Sequence, residues 1–166
     1  MSRRQALVSV WIGWTLFMWF AATRTFRTAD RVLTRPEPQL AQILKPLGPG
    51  ESRVVLRHFA SQVNATTFRA YGLAQILLGL AVAVLLGWQT PRDNTSFVLV
   101  CVMLAVTLIL AIAIEPQIAA PGKTLDFNPS PAAVPRFWML HGAYTGLDGI
   151  KLLLGAVVVV RWLLMA

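Results

Sequence analysis

His141, Tyr144, Thr145, Asp148 and Lys151 recur at intervals of three and four. On a helix that spacing gathers them on one face. An acid and a base three residues apart can neutralise each other, and the neighbouring imidazole and phenol can hydrogen-bond or hold a proton. Two chemistries fit. One is a structural ion pair that fixes helix packing. The other is a polar site for a small ligand or a proton, with Glu115 joining from a neighbouring element. His58 and His141 are the chain's 2 histidines. Facing one cavity, two imidazoles can ligate a b-type haem axially, so a haem- or metal-binding redox protein is the alternative reading. Two histidines without nearby cysteines fall short of the usual zinc or copper ligand set. The leading expectation is therefore no cofactor and a non-enzymatic protein. The absence of G-x-S-x-G, H-E-x-x-H and P-loop patterns agrees with it.

The elements that must position these residues are apolar. Of 166 residues, 56% are hydrophobic and 13% charged, against about 25% charged in ordinary soluble domains. Too little polar surface is available to cover a soluble globule. The net charge of +8 on so apolar a chain suits lipid headgroups better than nucleic acid. The lone Cys101 excludes an intramolecular disulfide.

A bilayer core of about 30 Å needs roughly 20 apolar residues in a helix. Spans are expected over 6–22, 70–88, 97–114 and 138–162. Their apolar runs are continuous rather than alternating, which favours helices over barrel strands. Trp88, Trp138 and Trp162 read as anchors at the water–lipid boundary. Arg3 and Arg4 before the first span resemble an export signal, but the apolar core is long for one, so a retained helix is expected.

Prolines at 36, 38, 46 and 49 break the polar stretch after the first span. Beyond them, 52–64 reads as an amphipathic helix that lies in the interface or runs straight into span two, with Val55, Leu56, Phe59, Ala60 and Val63 as its stripe and Arg53, Arg57, Ser61 and Asn64 opposite. Pro116 reads as the stop of the third span. Pro116, Pro121, Pro129, Pro131 and Pro135 then suggest an extended loop over one end of the bundle. Small residues at Gly79, Ala83 and Gly87, and the pair Gly142 and Gly146, read first as packing surfaces and second as an oligomer interface. Most basic residues, from Arg24 to Arg69 with Lys123 and Arg136, fall in the odd connections. That places these connections in the cytoplasm and both termini outside, although Arg3 and Arg4 argue the other way.

The order of features resembles a known family. Ile114-Glu115-Pro116-Gln117-Ile118 closes the third span, and Phe137, Leu140, His141, Tyr144 and Leu147 open the fourth. This arrangement is similar to the transmembrane protein 205-like family, from Trp11 to Trp162. The resemblance implies a four-helix bacterial membrane domain without an assigned enzymatic activity. Ala21-Ala22-Thr23-Arg24, where the family would have a proline, and the charged Asp148 and Lys151 depart from the pattern.

The expected fold is thus all-α: an integral membrane four-helix bundle with an additional amphipathic helix between spans one and two, in a bacterial inner membrane. Its expected partners are the lipid bilayer and other membrane subunits or further copies of itself, not nucleic acid. Its expected role is as an accessory subunit or a small-solute handling bundle, with Glu115, His141, Tyr144, Asp148 and Lys151 as the candidate polar site.

Overall fold

The computed structural model describes residues 3–90, 93–125, 127 and 130–165. The chain is all-α: α1 (Arg3–Thr34), α2 (Pro38–Leu44), α3 (Pro49–Gly87), α4 (Asn94–Leu108), a π-helical segment (Ile109–Ile114), α5 (Glu115–Leu125) and α6 (Ala133–Leu164). Helix α1 packs on α3, α3 on α4, α4 on α6 and α6 back on α1, while α5 leans on α6 and α3. The four long elements close a ring. Arg4 reaches Gln89 and lies 5.2 Å from the Trp162 ring, so the N-terminus, the α3–α4 link and the end of α6 share one end.

Proline and glycine mark the helix starts. Pro38 and Pro49 occupy first-turn positions, where a missing N–H costs nothing. Glu51 accepts from the Gly48 N–H at 3.3 Å. Helix α4 begins at Asp93, whose carboxylate accepts from the Ser96 N–H at 3.1 Å and the Ser96 hydroxyl at 2.6 Å. Partial burial works against the ionised form of Asp93, but the Ser96 bonds, the Trp162 indole and Arg161 outweigh it and hold the carboxyl below the usual carboxylate range.

The dry core occupies the end with the termini. Val8, Trp11, Val82, Leu86, Val100, Met103, Val158 and Trp162 form one buried cluster there. Small residues set the helix approach. A Cβ on Gly79 would meet the Trp11 ring at 2.8 Å and Leu104 at 2.9 Å, and one on Gly155 would meet Ile12 at 3.0 Å. Gly142 and Gly146 have nothing within 4 Å, so this pair does not pack the bundle.

Large apolar side chains face outward on the long elements, among them Phe17, Leu77, Ile112 and Leu153. Among the described residues, three helical stretches are long and apolar enough to cross a membrane: Arg4–Thr34, Pro49–Gly87 and Asn94–Ala120. Helix α6 matches them in length with 32 residues. At about 1.5 Å per residue it extends about 48 Å.

Several expectations are corrected. Pro116 does not stop the third span. In a regular α-helix its ring would strike the carbonyl four residues back. Just before it the chain widens into the π-helical segment, where the Glu115 N–H bonds the Leu110 carbonyl, and the helix continues to Leu125. The connection that was expected to be extended is therefore helical over its first half. Segment 52–64 runs straight into span two as the early part of α3, and its stripe is split, with Ala60 buried and Leu56 half-buried. Val55, Phe59 and Val63 are exposed, whereas Arg57 approaches Asp30 of α1 at 3.9 Å and Asn64 donates to the Ala22 carbonyl at 3.3 Å. In a membrane setting apolar groups can face outward and polar ones inward, which inverts the usual rule for an amphipathic helix. Trp162 is buried rather than anchoring at a boundary, and its indole donates to Asp93 at 3.2 Å. Trp88 and Trp138 are exposed. Pro91, Arg92 and Pro129 lie outside the described residues.

Candidate functional site

Three helical stripes converge halfway along the bundle. Helix α1 brings Trp11, Thr15 and Trp19 at intervals of four, α3 brings Tyr71 and Gln75, and α6 brings Asp148 and Lys151. The Lys151 ammonium sits 2.6 Å from Asp148 Oδ1, 3.0 Å from Gln75 Oε1 and 3.2 Å from the Tyr71 hydroxyl. All three of its protons thus have an acceptor. Asp148 Oδ2 accepts from the Trp19 indole at 2.8 Å, and the Tyr71 hydroxyl is 3.2 Å from Oδ1. Tyr71 is also 3.1 Å from Thr15 Oγ1, so its single proton has two acceptors. Thr15 donates to the Trp11 carbonyl at 3.2 Å, and the Trp11 indole donates to Gln75 Oε1.

Asp148 is 0% exposed and Lys151 1%. Two ions so deeply buried lose several kcal/mol each in hydration, which only a saturated set of partners offsets. This network is saturated, and it ties α6 to α1 and α3. Nothing in it is left open to a ligand.

One turn nearer the start of α6 the arrangement changes. A cavity of about 590 Å³ opens between α1, α3, α5 and α6. Ligand sites of about 300–1,000 Å³ are common. Phe68 and Tyr144 meet edge-on at 5.6 Å at its inner end, and Tyr144 lies one turn from Asp148. Phe137, Trp138 and His141 of α6 form an aromatic wall, with the Phe137 and His141 rings stacked at 5.9 Å. Asp30, Arg27 and Arg57 also border the cavity.

Glu115 lines this space from the start of α5, only 9% exposed. Its Oε1 atom is buried with no hydrogen-bond partner. The Arg69 guanidinium lies 3.6 Å away, close enough for Coulomb attraction but too far for a hydrogen bond.

The five expected site residues therefore split. Asp148 and Lys151 join a sealed network; Glu115, His141 and Tyr144 border the cavity. His141 and Thr145 are exposed, so the expected common face of α6 narrows to Tyr144, Asp148 and Lys151. His58 packs on Phe127 at 4.6 Å, whereas His141 packs on Phe137 and Trp138, so the two imidazoles sit in different aromatic contacts. Among the described residues no group of three or more His, Cys, Asp or Glu side chains is placed to hold a metal.

Sequence reasoning missed Thr15, Trp19, Tyr71 and Gln75. Their signal was present: polar groups at helical spacing inside uncharged apolar runs, where an unsatisfied polar group is costly.

Fold and site define a helical bundle with, among the described residues, three membrane-length apolar helices, a buried ion-pair network and a cavity between α1, α3, α5 and α6. No family model, curated protein or solved structure matches the chain.

Proposed function

We propose that this protein crosses the bilayer four times and binds a small hydrophobic solute, without chemical turnover, in the cavity between α1, α3, α5 and α6. The observation that carries the reading is that cavity, aromatic-walled and set directly beside the sealed network. The division of labour is physical. The Asp148–Lys151 network fastens the helices, and the unfilled volume next to it receives the solute. The fourth crossing is α6, whose charges turn inward while Ile150, Leu153, Val157 and Val160 face out. A bacterial inner-membrane location and kinship with the transmembrane protein 205-like family belong to the same proposal. They rest on the residue patterns around Pro116 and Phe137.

Ala65 lines the cavity from α3. In Ala65→Trp the indole would fill much of the space. Titration calorimetry of the purified protein in detergent with naphthylmethanol is expected to give saturable one-to-one binding, reduced at least about tenfold in Ala65→Trp. Binding that ignores the substitution, or no saturable binding of naphthyl probes to the parent, would overturn the reading.

A further inference from the structure

The chemistry inside the cavity names a class of solute. We infer that it takes a hydrophobic primary amine in its protonated form, with the ammonium donating to Glu115 and the apolar body lying against the rings of Phe68, Phe137, Trp138 and Tyr144. This inference rests on the solute-binding reading of the same cavity.

Three observations point the same way. Glu115 Oε1 is buried and accepts no hydrogen bond, an arrangement that costs free energy until a donor arrives. Its ion-pair partner is Arg69, whose side chain is 62% exposed and whose guanidinium stands off at 3.6 Å. Such an exposed partner can yield its place at little cost. Phe26, Phe68, Phe137, Trp138 and Tyr144 also line the cavity, and ring faces attract cations, most strongly where water is excluded.

An anionic amphiphile is the competing occupant, because Arg27 and Arg57 also border the cavity. Arg57 is already matched by Asp30 at 3.9 Å. An acyl chain lying in the cavity would leave Glu115 Oε1 without a donor and bring hydrocarbon against a carboxylate. A protonated amine satisfies that atom and adds the cation–ring attraction.

The test compares three probes of one shape: naphthylmethylamine, naphthylmethanol and naphthoate. Each is titrated calorimetrically into the full chain in detergent at neutral pH. The amine should bind at least about tenfold more tightly than the alcohol, the order expected of one charge-assisted hydrogen bond, and more tightly than the acid. Glu115→Gln should bring amine and alcohol to parity. Arg69→Gln, at an exposed side chain, should strengthen amine binding by removing the competing cation. Equal binding of amine and alcohol by the parent would overturn the inference while leaving the cavity reading intact. So would tighter binding of naphthoate, or weaker amine binding by Arg69→Gln. If no probe bound saturably, both would fall.

Discussion

Asp148 and Lys151 stand to lose different things when the partner is removed. Lys151→Met leaves Asp148 with the Trp19 indole and the Tyr71 hydroxyl as donors. Asp148→Asn leaves the Lys151 ammonium with neutral acceptors on Gln75 and Tyr71 and no counter-ion. Breaking a buried pair from one side costs about 3–5 kcal/mol, and replacing both ions by neutral groups is often close to neutral. Asp148→Asn should therefore be the most destabilising, Lys151→Met milder, and the double variant nearest the parent, as read by thermal unfolding in detergent. Single variants as stable as the parent would contradict the network's role. The pair itself was legible from a spacing of three in an apolar span. Its partners left a signal in the helical spacing of polar groups, but that spacing does not say which of them another helix will bring a charge against.

At the scale of elements, close approach decides which glycines matter. Gly79→Ala would push a methyl to 2.8 Å from the Trp11 ring, which is buried and held by Gln75. Overpacking of this kind costs about 1–3 kcal/mol. Gly142→Ala meets open space and should be neutral or stabilise by up to about 1 kcal/mol through helix propensity. Melting temperatures in detergent separate the two, and an equal response would contradict the packing described. Both glycines looked alike in sequence, since a small residue carries no mark of the side chain it will meet. Helix starts after Pro38 and Pro49 were readable from local chemistry. The continuation past Pro116 was not. A π-helical widening depends on how Leu110 and its neighbours pack, and one helix read alone does not supply that.

For the whole molecule, the placement of the ends and the outward apolar surface carry the membrane reading. Composition made the class legible at once: a chain this apolar has no polar coat to spare for water. The cavity was not legible, because it forms where four separated segments diverge beyond the dry core. The account stands or falls on α6 as a fourth crossing. Direct evidence comes from Ser130→Cys, Met165→Cys and Gln89→Cys, each made separately in a Cys101→Ser background. Each is labelled with a membrane-impermeant maleimide in sealed, oriented vesicles. The account predicts that the Met165 and Gln89 positions label from one side and the Ser130 position from the other. Labelling of the Ser130 and Met165 positions from the same side would contradict it.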